Sequence, residues 1–182
     1  MIVVKFGGHA MKDENGAFAK AIAVAQRDGV ELVIVHGGGP QIDAALKSAA
    51  ITSEFVGGFR VTTPEIFDVV ERVLAGEVGP AVAQSLDREG VNAIAISGRK
   101  SGTLFAKPLK ALVDGTPADL GLVGIVTSVN SSSIMNAVAS RQVPVVSPIA
   151  CEESTDAGLN VNADFAAAAI AGALDAESDR KS

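Results

Sequence analysis

The sequence predicts an open α/β fold, a mainly parallel sheet sandwiched by helices. Three observations carry this. Short runs rich in Val, Ile and Leu alternate with stretches of helical periodicity, the pattern of consecutive βα units. Two of those runs, Ile2-Val3-Val4-Lys5-Phe6 and Leu32-Val33-Ile34-Val35-His36, exit directly into Gly7-Gly8 and Gly37-Gly38-Gly39. The 182 residues are 48% hydrophobic but only 4% aromatic, so one sizeable core must be built from aliphatic side chains.

Taken in order, residues 2–6 form the first strand. A helix over 15–27 follows, with Ala17, Ala21 and Val24 expected to face inward. Residues 31–36 give the second strand and 40–49 the next helix, whose Pro40 sits in the first turn, where a missing N–H costs nothing. Residues 55–63, split by Gly57-Gly58, read as a β-hairpin projecting from the sheet. Residues 64–74 and 80–88 form one interrupted helical region, followed by a strand at 93–97 and a second hairpin-like stretch over 102–113. A strand near 124–129, a helix near 133–140 and a strand over 143–146, stopped by Pro148, repeat the alternation. The polar segment Asn160-Val161-Asn162-Ala163-Asp164 then opens an Ala-rich helix over 162–174, with Asn162 as its N-cap. From Asp175 the chain turns abruptly charged, which predicts a frayed tail over 175–182. There is no internal repeat and no low-complexity linker.

Composition excludes several functions. A net charge of −6 with scattered basic residues argues against nucleic acid or an anionic membrane surface as partner, and the lack of Trp and Tyr removes the usual stacking platforms for bases. The single cysteine, Cys151, cannot form an internal disulfide and fits a reducing compartment. Apolar stretches are too short to span a bilayer, and residues 1–20 carry acids without a signal-type apolar run. The expectation is a cytoplasmic protein.

The chemistry concentrates at the strand exits. A glycine run removes every Cβ, so a ligand can approach the main-chain N–H groups, and the following helix adds its N-terminal partial positive charge. With Lys5 beside the first run, the expected anion is a phosphoryl group, held by one cation and several amide donors. The G-x-G-x-x-G spacing of dinucleotide sites is absent, as is the Lys-Ser/Thr pair of a P-loop. His36-Gly37-Gly38-Gly39 also resembles the oxyanion-hole sequence of esterases, but no G-x-S-x-G occurs, and Gly98-Arg99-Lys100-Ser101-Gly102 has the wrong spacing. His9, His36 and Cys151 make no metal pattern. Arg60, on the hairpin, is either a solvated arginine or a bidentate clamp for a carboxylate. Asp164 reads equally as an ordinary first-turn acid, while its clustering with Asn160 and Asn162 favours a site.

Four ordered motifs resemble one family. They are Lys5-Phe6-Gly7-Gly8-His9-Ala10-Met11, the segment from Val33 through His36-Gly37-Gly38-Gly39-Pro40 to Ile42, Gly57-Gly58-Phe59-Arg60-Val61-Thr62, and Asn160-Val161-Asn162-Ala163-Asp164. In this order and spacing they are similar to acetylglutamate kinase, over residues 1–174. The wider amino acid kinase group, including glutamate 5-kinase, aspartokinase and uridylate kinase, shares the glycine turns; the last two motifs point to the acetylglutamate branch.

The resemblance implies a fold of the carbamate kinase type and transfer of the ATP γ-phosphoryl to the side-chain carboxylate of N-acetyl-L-glutamate, an early step of arginine biosynthesis. It implies that Lys5 stabilises the moving phosphoryl beside backbone donors of Gly7, Gly8 and Gly38. Gly38, Gly39, Arg60 and Asn160 would bind the amino acid, and Asp164 would organise the lysine. Mg2+ would arrive with ATP, no metal would be held by the protein itself, and two copies would pair as a homodimer. Family members are longer. Residues 1–174 therefore correspond to the amino-acid half, 175–182 to a charged tail, and the expectation is a truncated enzyme without its ATP-binding half, poor or inactive as a kinase alone. The competing expectation is a non-catalytic module that binds acetylglutamate or dimerises, or a kinase for a related acylated amino acid. Gly79-Pro80 stands where the family commonly has Asn-Lys.

Overall fold

Periodicity of two along the strands and of 3.6 along the helices sorts the aliphatic side chains onto two faces of one sheet. The computed structural model describes residues 1–8, 11 and 15–181. His9 lies outside them. In chain order the first elements are β1 (Ile2–Phe6), α1 (Ala17–Arg27), β2 (Leu32–His36), α2 (Gly39–Ser48), β3 (Phe55–Val56), β4 (Phe59–Arg60) and α3 (Pro64–Glu71). A π-helical segment (Arg72–Val78) leads into α4 (Gly79–Arg88), then β5 (Ala93–Ser97), β6 (Leu104–Pro108) and β7 (Val123–Val129). The rest are α5 (Ser132–Ala139), β8 (Val143–Ser147), β9 (Ile149–Glu152), β10 (Gly158–Val161) and α6 (Ala163–Lys181).

The main sheet has the order β1-β2-β8-β5 and is parallel throughout, with Ile2 opposite Leu32, Ile34 opposite Val145 and Ala95 opposite Val145. The central strands β2 and β8 are buried at every position, which is why they read as unbroken apolar runs rather than alternating ones. Leu32, Ile34 and Val145 join Ile22, Leu46, Val70 and Leu86 in one core. Val33, Val35 and Val146 face the other way, against Ile134 of α5 and Ile170 of α6. The predicted sandwich is therefore present. Strand β5 is an edge of this sheet, and its Ile94 is 38% exposed.

Four strands not foreseen as a unit close a small barrel beside it, in the order β10-β7-β6-β9. The expected hairpin over 102–113 is corrected here: β6 pairs antiparallel with β7 and parallel with β9, and the intervening loop holds isolated bridges, one between Ala111 and Pro117 and one from Gly121 to Thr62. Pro148 marks a corner between β8 and β9 rather than a stop. The stretch read as a polar helix opening begins as a strand, β10, in which Leu159 and Val161 are buried and Asn160 is half-exposed.

Two helices also differ from expectation. Helix α1 turns Ala19, Ile22 and Ala23 inward and leaves Ala17, Ala21 and Val24 outside. An Ala-rich helix offers several small apolar stripes, and the bulky side chains choose among them: Phe18 stacks on Phe6 with ring centroids 3.7 Å apart, bringing Ile22 in with it. Helix α6 spans Ala163–Lys181, so the stretch predicted as a frayed tail is helical as far as Lys181. Among the described residues no helix is long and apolar enough to cross a membrane.

Candidate functional site

Strands β1 and β2 end side by side, and their glycine turns meet. Gly37 N–H donates to the Phe6 carbonyl at 2.8 Å, so the second turn is tied to the end of the first strand. Above this junction lies a cleft of about 270 Å³. Lys5, Gly7, Gly8, Gly38, Gly39, Arg60, Asn160 and Asp164 all border it, so every site residue singled out from the sequence converges there.

Lys5 lies on the same face of β1 as Val3, the face covered by α6. Its Nζ is 3.2 Å from Asp164 Oδ1 in the first turn of that helix. The lysine runs so closely over Gly7 that a methyl there would lie 2.8 Å from its Cε. Asn162 caps α6 as predicted, its Oδ1 accepting from the N–H of Asp164 at 2.8 Å and of Phe165 at 3.4 Å. This cap aims Asp164 at the lysine.

The helix α2 starts at Gly39, with Gly38 before it and Pro40 at its first turn. Its opening amides have no carbonyl of their own helix to bond, and the dipole favours an anion there. Gly38 is required for a second reason: a Cβ at that position would sit 2.5 Å from Leu74 Cδ2 of the π segment. His36 closes the turn from below. It is fully buried, and its Nδ1 is 2.8 Å from the Gly37 carbonyl, a bond that needs the hydrogen on Nδ1. Among the described residues Nε2 has no hydrogen-bond partner, and burial holds the imidazole below its ordinary pKa, in the neutral form.

Arg60 is not solvated. Its side chain is 5% exposed, with Nη2 donating to Asp43 Oδ1 at 2.7 Å, Nη1 donating to Ser53 Oγ at 2.6 Å, and the Phe55 ring 4.6 Å from Cζ. Gly57 and Gly58 take positive φ, 56° and 85°, which is what a two-residue turn closing β3 on β4 demands. Asn160 Nδ2 donates to Thr62 Oγ1 at 3.3 Å, and Thr62 Oγ1 in turn donates to the Arg60 carbonyl at 2.8 Å. Asp43, Ser53 and Leu74 escaped the sequence reading, and Thr62 entered it only as the end of a motif, with no role of its own. Only Asp43 carried a usable signal, as an acid one turn into a helix that begins at a glycine nest.

Among the described residues no three His, Cys, Asp or Glu side chains gather as a group able to hold a metal. Asp164, the one acid bordering the cleft among the described residues, already has Lys5 as partner. Cys151 lies elsewhere, on β9, where burial and the neighbouring Asp156 raise its thiol pKa and leave it a poor nucleophile.

The sequence model of the amino acid kinase family matches residues 1–178. The chain belongs to the amino acid kinase family. Among curated relatives it is 46% identical to the acetylglutamate kinase of Nocardia farcinica, over 97% of this chain and 59% of that protein. It is 45% identical to that of Kineococcus radiotolerans, over 97% of this chain and 62% of that protein. The chain thus spans about three-fifths of the length of the relatives it matches. Among solved structures, one from Streptococcus mutans superposes with a TM-score of 0.84 at 31% identity, covering 94% of this chain and 67% of that one. N-acetylglutamate synthase from Neisseria gonorrhoeae, complexed with coenzyme A and N-acetyl-glutamate, shares the fold at a TM-score of 0.73 and 19% identity, covering 93% of this chain and 38% of that one.

Proposed function

We propose that this chain forms the amino-acid half, residues 1–174, of an acetylglutamate kinase, and that the cleft takes N-acetyl-L-glutamate end-on against the γ-phosphoryl of ATP. One observation carries the reading: a buried guanidinium and a lysine between two glycine turns border the same 270 Å³ cleft. A diacid entering it meets Arg60 with one carboxylate and points the other at the glycine turns. Asn160 and the Gly38-Gly39 backbone hold it in between.

The reaction needs no base, because a carboxylate is already ionised at neutral pH. An oxygen of the side-chain carboxylate attacks the γ-phosphorus, a P–O bond forms as the β–γ bridge breaks, and ADP leaves with the bonding pair. What the protein contributes is alignment and charge. Lys5 and the N–H groups of Gly7, Gly8 and Gly38 neutralise the charge on the transferring group, and Asp164 keeps the Lys5 ammonium aimed at it. Mg2+ travels as the metal of the nucleotide, bound through its phosphates.

Calorimetry with N-acetyl-L-glutamate and a coupled ADP-release assay test this together. The wild-type chain should bind the amino acid, and Arg60→Ala should abolish detectable binding. Lys5→Ala should leave amino-acid binding within a few-fold, but lower ADP release about 10²–10³-fold in any form of the protein that turns over. Absence of acetylglutamate binding by the wild-type chain would overturn the reading. A second reading is favoured by Lys5 being the one lysine that borders the cleft among the described residues: a module that binds acetylglutamate without turning it over, or that pairs with a second copy. Binding without ADP release by the 182-residue chain, together with restored release by a longer reading frame, separates the kinase from the module. Light scattering reports the pairing. Binding of a different acyl amino acid in preference to acetylglutamate would redirect the substrate assignment.

A further inference from the structure

Arg60 is braced from the side that faces away from the cleft. Asp43 and Ser53, which accept from its two terminal nitrogens at 2.7 and 2.6 Å, do not border the cleft at all. They border a separate hollow of about 380 Å³ on the outer side of the arm, together with Leu46 and Ile51. Asp43 is therefore not a stand-in for a substrate acid and does not compete with one. It holds the guanidinium from behind, through a charge-assisted bond shielded by the burial of Arg60. Each contact uses one donor, so three of the five N–H groups of the arginine stay available.

The place of Asp43 in the fold gives the brace a second consequence. It belongs to α2, the helix whose start carries Gly38 and Gly39, and it lies four residues beyond Gly39. At a rise of about 1.5 Å per residue this is roughly 6 Å along a rigid rod. One helix thus presents the glycine turn at its tip and, about one turn further on, the anchor of the acid clamp. On the opposite side Thr62 and Asn160 tie the Arg60 backbone to β10.

We infer that Asp43, with Ser53 as a second anchor, is a positioning residue that fixes the separation between the Arg60 clamp and the glycine cradle, and so selects the chain length of the dicarboxylic acid. The length selection rests on the proposed reading of the cleft; the bracing of Arg60 does not.

The test compares the wild-type chain with Asp43→Asn, Asp43→Glu and Ser53→Ala, each confirmed as folded by thermal melting. Calorimetric Kd values are measured for N-acetyl-L-aspartate, N-acetyl-L-glutamate and N-acetyl-L-2-aminoadipate, which differ by one methylene each. In Asp43→Asn the affinity for acetylglutamate should fall about tenfold or more, the loss expected for a hydrogen bond to a charged group. The preference over the shorter and longer acids should narrow, and Asp43→Glu should restore part of it. A ligand-free readout accompanies this: the Nε–H signal of Arg60 in arginine-labelled protein, ordered in the wild type and averaged by motion in Asp43→Asn. An unchanged Arg60 signal in Asp43→Asn overturns the brace, and an unchanged length preference overturns the selection. A wild-type chain that binds none of the three acids overturns the length selection along with the reading of the cleft, while the arginine signal still decides the brace.

Discussion

Lys5 meets a carboxylate, 3.2 Å away at Asp164, but both side chains reach solvent, so water weakens their mutual hold; in the proposed function this leaves the ammonium free to turn toward an incoming phosphoryl group. His36 is the opposite case, a group with no such freedom. Its neutral ring is buried, so unfolding releases it to an ordinary pKa of about 6.5, where the unfolded chain takes up a proton that the folded chain refuses. The sign follows: this contribution is fully present above about pH 6.5 and is lost on acidification through and below that value. Denaturant melts between pH 7.5 and 5.5 should show stability falling toward acid by at most about 1.4 kcal/mol per pH unit from this group. In His36→Asn that component should vanish, while the Asn amide replaces the donor to the Gly37 carbonyl. The residues bordering the cleft were legible because each belongs to a type whose placement has a local cause: glycines at strand exits, an arginine beside a glycine turn, an acid behind an N-cap. Ser53 was not, and the one signal at Asp43, an acid one turn into a helix begun at a glycine nest, does not announce that Arg60 folds back toward it.

At the next scale, the continuous rod from α3 through the π segment to α4 governs how tightly the glycine turn is held. Leu74 is 2% exposed and leaves no room for a methyl on Gly38. Gly38→Ala should therefore destabilise the protein and weaken acetylglutamate binding. Leu74→Ala alone should cost about 2–5 kcal/mol as a buried cavity. The double variant should be less unstable than the sum, with a coupling of about 0.5–3 kcal/mol in a double-mutant cycle of thermal melts; strict additivity would mean that the two do not compete for space. The start of this rod also has a cap, Thr63, whose Oγ1 accepts from the Ile66 N–H at 3.3 Å, so Thr63→Ala should lose about 1 kcal/mol. The β3–β4 hairpin was readable from Gly57-Gly58, and the sequence places the helix start at Pro64, as the structure does, without marking Thr63 as its cap. The π geometry was not readable: from the sequence one helix ends at 74 and the next begins at 80, whereas the π segment Arg72–Val78 carries the helix across that interruption. The face of α1 was ambiguous for a different reason, its many alanines.

For the molecule as a whole, the parallel sheet followed from the runs Leu32–His36 and Val143–Ser147, whose unbroken apolar character requires cover on both sides. The barrel did not follow, since β9 and β10 are four residues each and, beyond pairing with one another, each needs a strand far away in sequence, β6 or β7, where no local signal reaches. Ligand binding links the site to global stability: acetylglutamate at about one hundred times its Kd should add about 2.7 kcal/mol and raise Tm by about 5–10 °C in calorimetric scans, and no shift would count against the cleft assignment. The exposed margin at β5 bears on how the protein behaves once heated. Its outer row of amide and carbonyl groups, flanked by Ile94, has the makings of a template onto which a neighbouring molecule's loosened chain can add. Turbidity on warming should therefore rise steeply with protein concentration, and a charge placed by Ile94→Lys should keep more of the material clear and refoldable.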